Sequence, residues 1–403
     1  MLVKELRLQN FRNYEDQLLS AVAGDNLLVG RNAQGKTNIL EAIYLLTCAR
    51  SHRTGKDPEL IRHGSDYYRL ELNFSGAAGE DQNLVIFYQD LDRSIDRALY
   101  QNLSAGRRKR REIYYQGAKL EKISELFGLF QAVIFAPEDL QLIKGAPGER
   151  RRFLDLILAK VSKTYFTNLQ DFQRILSERN QILKKMREKP GDLQQIQLDL
   201  WTERLAVAGA KVMHERLIQI EALKEFAEEA LKTLSDEKEN LSLSYESFAN
   251  FTAEDSLEQL SAAYENRLKK SEFDDIQRGS SSYGPQRDDL RIELNGLVAK
   301  TYASQGQQRS LALALRIAEL HLIHQLTGEK PVLLLDDVMS ELDPGRRTRL
   351  FQAISSEQVF LTCADVDQVL PAFASAQGSI SQNGAALTQM FKISAGTIEE
   401  TVV

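Results

Sequence analysis

Alternation of apolar and polar positions opens the chain. Leu6 and Leu8 are separated by charged or polar neighbours, and a second apolar run covers residues 26–29. The first thirty residues therefore read as two short strands around the turn Asn10-Phe-Arg-Asn-Tyr14. Residues 68–74, 84–88 and 112–115 also have strand character, with Leu70, Leu72 and Phe74 alternating as on a half-buried strand. Gln116-Gly117 is placed to turn the last of these back on itself. Together they predict a mostly antiparallel sheet at about 66–120.

From about residue 150 to 270 the period becomes helical. Leu169, Phe172, Leu176, Leu183 and Met186 follow a heptad-like seam. Pro190-Gly191 interrupts it, and Leu193, Ile196, Leu200, Val207, Ala210 and Leu217 resume the spacing on the far side. This predicts an antiparallel helical hairpin at about 165–218, then helices over 215–234 and 256–270. The stripe reads as core packing rather than as a partner surface. Beyond it come the loop Gly279-Ser-Ser-Ser-Tyr-Gly284 and a hairpin, 291–294 with 297–301, joined by Asn295-Gly296. Residues 332–335, Val-Leu-Leu-Leu, suit a buried parallel strand ending in Asp336 and Asp337. Residues 399–403 are expected to fray.

Composition narrows the class. With 403 residues and 43% hydrophobic content, two or three ordinary globular units are expected. No apolar run approaches the ~20 residues of a membrane span, and the start Met-Leu-Val-Lys-Glu-Leu lacks a signal pattern. Cys48 and Cys363, far apart in sequence, fit a reduced cytoplasmic protein without a disulfide framework. The five histidines show no zinc-ligand spacing. The net charge of −6 argues against broad nucleic-acid binding, so any DNA contact must come from local patches. Arg107, Arg108, Lys109, Arg110 and Arg111 form one such patch, and Lys144 with Arg150, Arg151 and Arg152 a second. Such a run is either a solvated loop tip or a set of phosphate contacts.

Gly30, Arg31, Asn32, Ala33, Gln34, Gly35, Lys36 and Thr37 have the spacing G-x-x-x-x-G-K-T, between an apolar run and a helix-like stretch. Backbone N–H groups of such a loop form an anion nest, and the helix behind it adds a partial positive charge. Lys36 is placed to reach the β- and γ-phosphates, and the Thr37 hydroxyl to bind Mg²⁺. Asp336 is expected in the Mg²⁺ shell, and Asp337 to polarise an attacking water. Ser304-Gln-Gly-Gln-Gln-Arg309 opens a helix and offers a second anion site through the Ser304 hydroxyl, the Gly306 N–H and the helix N-terminus.

These motifs, with Phe135-Ala-Pro-Glu-Asp-Leu140, Gly148-Glu-Arg-Arg-Arg-Phe-Leu-Asp155, Gly284-Pro-Gln-Arg-Asp-Asp289 and Leu335-Asp-Asp-Val-Met-Ser-Glu-Leu-Asp343, resemble the bacterial RecF family nearly end to end. The resemblance implies an α/β fold: an ATPase head of the ATP-binding-cassette and structural-maintenance-of-chromosomes (SMC) type with a mixed sheet and an inserted helical arm. The head is expected over 1–125 and 271–403, and the arm over 126–270. It implies ATP and Mg²⁺ as cofactors, DNA as partner and an ATP-dependent homodimer. It also implies gap repair and replication as the setting, with RecR/RecO-type mediators and recombinase loading. Within it, Ser304, Gly306 and Gln307 act on the nucleotide held by another copy, residues 340–343 cross the dimer interface, and Arg12 and Asn13 lie beside the nucleotide.

Three departures modify that expectation. The catalytic glutamate of fast relatives is Asp337, the switch histidine is absent with Thr362 nearby, and Gln286 replaces an expected histidine. The first two imply slow, DNA-stimulated hydrolysis serving a switch. A transporter-type ATPase subunit and a non-hydrolysing DNA clamp are the alternatives.

Overall fold

The apolar alternation at the N-terminus produces three strands rather than two: β1 (Leu2–Phe11), β2 (Tyr14–Ser20) and β3 (Gly24–Val29). β2 lacks alternation because it pairs with β1 alone and exposes Glu15, Asp16 and Leu18. With β4 (Tyr67–Ser75), β5 (Asp81–Asp90), β6 (Lys109–Tyr115) and β7 (Ala118–Lys119) it forms a sheet of order β2-β1-β4-β5-β6-β7. All its pairings are antiparallel, as expected. Gln116 and Gly117, with φ of 51° and 77°, make the turn before β7. The computed structural model describes residues 1–76, 79–91, 109–354, 356, 358–364 and 387–401.

A second sheet has the order β15-β14-β3-β13-β12-β8, with β8 (Ala132–Phe135), β12 (Val332–Leu335), β13 (Val359–Cys363), β14 (Leu387–Ser394) and β15 (Thr397–Thr401). β14, β3, β13, β12 and β8 run parallel. β12 is buried throughout, which explains its unbroken apolar sequence. The expected fraying at the C-terminus is corrected through Thr401: residues 397–401 are β15, antiparallel to β14. Val402 and Val403 lie outside the described residues.

These sheets belong to one compact unit, residues 1–139, 233–236 and 319–403. The other unit covers 140–232 and 237–318, so the division differs from the expected arm limits of 126–270. β8 stays with the first unit because it pairs with β12. The second unit contains α2 (Leu140–Lys144), α3 (Pro147–Val161), α4 (Lys163–Glu188), most of α5 (Asp192–Ser235), α6 (Leu257–Lys270) and α7 (Glu272–Arg278). It also holds a small sheet of β9 (Leu241–Glu246), β10 (Asp289–Leu294) and β11 (Leu297–Val298), followed by α8 (Ala299–Tyr302) and the start of α9 (Gln305–Thr327). α1 (Lys36–Cys48) and α10 (Pro344–Ala353) lie in the first unit.

The helical hairpin exists, turning at Pro190-Gly191, but α5 is one 44-residue helix, so no separate helix begins at 215. Leu169, Phe172, Leu183 and Met186 are core, as expected. The continuation on α5 divides: Leu193, Ile196, Leu200 and Val207 are 64%, 66%, 46% and 48% exposed, whereas Ala210 and Leu217 are buried as expected. The buried face of α5 follows an interleaved series, Leu198, Leu205 and Val212. Two stripes coexist on the first half of this helix, and the more conspicuous one faces outward as far as Val207.

A buried ion pair fixes the arm. Arg179 of α4 meets Asp275 of α7 at 3.0 Å, both side chains fully buried. Arg179 also donates to Thr202 of α5 at 3.0 Å and to Ser281 at 2.6 Å. Removing one partner strands the other charge in the core. Asp275→Ala is expected to lower unfolding free energy by about 3–5 kcal/mol, measured by urea denaturation; a loss below ~1 kcal/mol would contradict this role.

Candidate nucleotide site

Three neighbouring parallel strands bring the site residues to one edge of the second sheet. β3 ends at Val29 and passes into the phosphate loop, β13 ends at Cys363, and β12 ends before Asp336. β13 pairs with both β3 and β12, so these C-terminal ends are adjacent. Residues 30–35 form the loop, and α1 begins at Lys36, so Lys36 and Thr37 belong to the first turn of the helix.

The loop backbone is set from behind. Asn13 Nδ2 donates to the Gln34 carbonyl at 2.9 Å, and the Tyr14 hydroxyl donates to the Gly35 carbonyl at 3.0 Å. In a planar trans peptide the N–H points opposite to the C=O. Holding those two carbonyls therefore turns the N–H groups of Gly35 and Lys36 the other way, as an anion nest requires. Gly35 has φ 118°, and a Cβ there would lie 2.6 Å from Asn13 Nδ2 and 2.7 Å from the Tyr14 hydroxyl. Arg31, Asn32 and Ala33 are exposed, and Ala33 has φ 66°.

Lys36 Nζ donates to the carbonyls of Gly30 at 2.5 Å and Arg31 at 2.9 Å. Burial lowers its pKa, opposed by the nearby acidic groups of Asp337, Cys363 and Asp336. Thr37 Oγ1 donates to Asp336 Oδ1 at 2.9 Å, and Thr362 Oγ1 donates to the same oxygen at 2.9 Å. Burial raises the Asp336 carboxyl above the ordinary range, with both threonine hydrogen bonds opposing. The convergence of a hydroxyl and a carboxylate oxygen fits a Mg²⁺ ion on Thr37 and Asp336. Asp337 is exposed, with φ 51°, and its N–H donates to Thr362 Oγ1 at 2.8 Å. Thr362 thus anchors both acids.

Arg12 is held beside the loop rather than left free. Its guanidinium donates to Glu41 of α1 at 2.8 and 2.6 Å and to the Glu59 carbonyl at 2.9 Å. Burial of Glu41 would raise its carboxyl, but hydrogen bonds from Arg12 and Ser51 hold it below the ordinary range. Sequence reasoning missed Glu41 and Ser51, which carry no motif of their own beyond their spacing from the loop.

Ser304, Gly306 and Gln307 lie in the other unit, at the start of α9. Ser304 Oγ accepts from the Gln307 N–H at 3.3 Å, and Gln307 Oε1 accepts from the Ser304 N–H at 2.9 Å. This is a capping box. Ser304 is exposed, and its hydroxyl proton is not used by the cap.

Cations of both basic clusters are engaged in local contacts. Arg107 and Arg108 lie outside the described residues. The run is not a loop tip from Lys109 onward, because Lys109, Arg110 and Arg111 are in β6. Arg111 is engaged by Asp57 and by the Ala49 carbonyl, and Arg110 pairs with Glu112 at 2.6 Å while staying exposed. Lys144 is exposed. Arg150 is buried against Asp289, at 2.8 and 2.7 Å, and Arg151 donates to the Asp288 carbonyl at 2.8 Å. The 148–155 and 284–289 motifs therefore lock to each other. Gln286 donates to the Tyr283 carbonyl at 2.7 Å within that turn.

The fold and the loop-acid arrangement define a P-loop ATPase head of the SMC class. The RecF/RecN/SMC N-terminal domain family matches residues 2–384. The chain is 38% identical over 365 residues to DNA replication and repair protein RecF of Ruminiclostridium cellulolyticum, covering 91% of this chain and 93% of that one. It is 36% identical over 401 residues to the protein of that name from Lachnoclostridium phytofermentans, covering 99% and 100%. Among solved structures, the recombination mediator protein RecF-ATP in the RecFOR pathway superposes with TM-score 0.84 at 33% identity, covering 100% and 98%. The Smc head of Pyrococcus furiosus, at TM-score 0.51 and 15% identity, shares the fold. The chain belongs to the RecF family.

Thr362→Val keeps the shape and removes both hydrogen bonds to the acids. It is expected to cost about 1–3 kcal/mol of stability and to weaken Mg²⁺-dependent nucleotide binding, with Thr362→Ser restoring both. Titration with nucleotide, with and without Mg²⁺, checks this; full Mg²⁺ dependence in Thr362→Val would contradict it.

Proposed function

We propose that this chain is an ATP-dependent DNA-binding switch of recombinational gap repair and replication. ATP joins two copies on duplex or gapped DNA, and slow hydrolysis releases them. The observation that carries the reading is the Thr37–Asp336–Thr362 cluster beneath a backbone-held phosphate loop, in a chain that also carries a capped serine motif at a second helix start. Gly30 to Thr37 cradle the phosphates of one copy, and Ser304, Gly306 and Gln307 of the other copy close on the γ-phosphate. Bound Mg²⁺ offsets phosphate charge. Lys36 neutralises the β- and γ-oxygens, and Asp337 orients the attacking water. Its side chain is one methylene shorter than glutamate, which places the water less well and slows turnover.

Recombinase loading through RecR/RecO-type mediators in the cytoplasm is the role this proposes, supported by the RecFOR naming of the solved relatives. The transporter alternative loses ground, since the family match and the relatives named RecF extend over most of the chain. The short acid at Asp337 also favours a clamp without turnover; phosphate release over many turnovers, with and without DNA, separates the two.

Light-scattering mass should double with ATP and stay monomeric with ADP, and Lys36→Met should stay monomeric with both. Equal monomer mass in both nucleotides would sink the proposal. Neutralising Arg107, Arg108, Lys109 and Arg110 together should weaken DNA binding and flatten its salt dependence by about one unit of slope for each phosphate no longer neutralised. An unchanged slope would remove this segment from the interface.

A further inference from the structure

The C-terminal hairpin reaches the phosphate loop. β14 runs beside β3, pairing Lys392 with Val29, so the turn between β14 and β15 lies level with the start of the loop. At that turn Ala395 and Gly396 have φ of 48° and 80°, the left-handed pair of a tight hairpin. The Ala395 N–H donates to Gln34 Oε1 at 2.7 Å, and the Gly396 N–H donates to the Gln34 carbonyl at 3.2 Å. A Cβ on Gly396 would lie 2.4 Å from the Asn13 carbonyl, so the turn also packs on the segment that supports the loop from its other side. Farther along, the Ile398 N–H donates to Gln17 Oε1 at 2.9 Å and moors the hairpin to β2.

We infer that this turn is a positioning element of the nucleotide site, acting through Gln34 on the orientation of the phosphate-binding amides. The inference rests on the nucleotide site proposed above. The Gln34 carbonyl receives two donors, Asn13 Nδ2 at 2.9 Å and the Gly396 N–H at 3.2 Å, from two segments distant in sequence. That carbonyl belongs to the peptide whose other end is the Gly35 N–H. Fixing one end of a planar peptide fixes the other. The side-chain contact from Ala395 holds the same residue by a second point. Without the turn, the peptide between Gln34 and Gly35 would keep Asn13 alone and gain freedom to rotate. Glycine at 35 makes such rotation cheap, because no Cβ opposes it. The loop would then have to be reordered by its ligand, and affinity would fall. Reciprocity follows: whatever the hairpin contributes to nucleotide binding, bound nucleotide contributes to holding the hairpin.

The test uses the full chain and a methylanthraniloyl derivative of ATP, with the corresponding ADP derivative in parallel. Gln34→Leu removes the Ala395 contact, and Gly396→Ala pushes the turn off the loop. Glu399→Gln, on the same hairpin but away from the loop, serves as control. The two loop-side variants should each weaken binding of both nucleotides about five- to tenfold, the order expected for losing one hydrogen bond. Their double variant should lose less than the product of the two, because both loosen the same attachment of the turn to Gln34. Glu399→Gln should bind as the unaltered chain does. Amide hydrogen exchange at 395 and 396 in the unaltered chain should slow when ADP is added. Equal affinities in Gln34→Leu and the unaltered chain would overturn the inference, as would exchange at 395 and 396 indifferent to nucleotide. A merely structural hairpin would lower the melting temperature of the variants and leave both readouts alone. If Gly396→Ala fails to fold, Gln34→Leu and the exchange measurement decide. Failure of the unaltered chain to bind ATP at all would instead defeat the proposed function.

Discussion

A backbone binds phosphate only when successive N–H groups face one way, and a chain does not hold that arrangement unaided. The carbonyls on the far side of the same peptides must be held. In this protein they are held by Asn13 and Tyr14 from the β1–β2 turn and by Gly396 from the β14–β15 turn. Much of the first unit can be understood as scaffolding for that constraint. β1 and β2 bring Asn13 and Tyr14 to the loop, β3 delivers the loop itself, and β14 carries the supporting turn alongside. Arg12, two residues from Tyr14, is pinned by the buried carboxylate of Glu41, which ties the same turn to α1 behind the loop.

The acidic half of the site obeys a related logic. Asp336 is buried, and burial alone disfavours its charge. Two threonine hydroxyls, one from the loop helix and one from the neighbouring strand, donate to a single oxygen and oppose that upward shift. Thr362 serves both acids, because its oxygen also accepts from the Asp337 N–H, at a residue in the left-handed conformation. Placement of the shorter acid is thus a property of β13 as much as of β12.

The sequence reveals motifs well and their supports poorly. The G-x-x-x-x-G-K-T spacing, the apolar run before Asp336 and the Asn-Gly and Gln-Gly turns are legible because each is local in the chain. Glu41, Ser51 and the 395–396 turn are not, since their roles depend on strands brought together from opposite ends of the chain. The acidic residues 399 and 400 resemble a tail, yet they continue a strand anchored by Ile393 and Ile398 facing each other. On α5 the period is legible and the face is not. Two apolar series share the first half of the helix, and packing against α4 and α6 selects Leu198, Leu205 and Val212 for the interior. The cations at 107–111 and 150–152 look alike in sequence, but Arg111, Arg150 and Arg151 are engaged in local contacts. Charge density in sequence does not separate a structural arginine from an available one.

The central claim is that each nucleotide is held by the phosphate loop of one copy and the Ser304 motif of another. Mixing two defective chains tests it most directly. Lys36→Met alone and Ser304→Arg alone each leave no complete site in a homodimer, and neither should form an ATP-dependent dimer. Mixed in equal amounts, they can form heterodimers with one intact site, built from the loop of the Ser304→Arg chain and the serine motif of the Lys36→Met chain. The account predicts that ATP-dependent dimer mass returns in the mixture and is absent from either chain alone. A mixture that remains monomeric with ATP, while the unaltered chain dimerises, would contradict it.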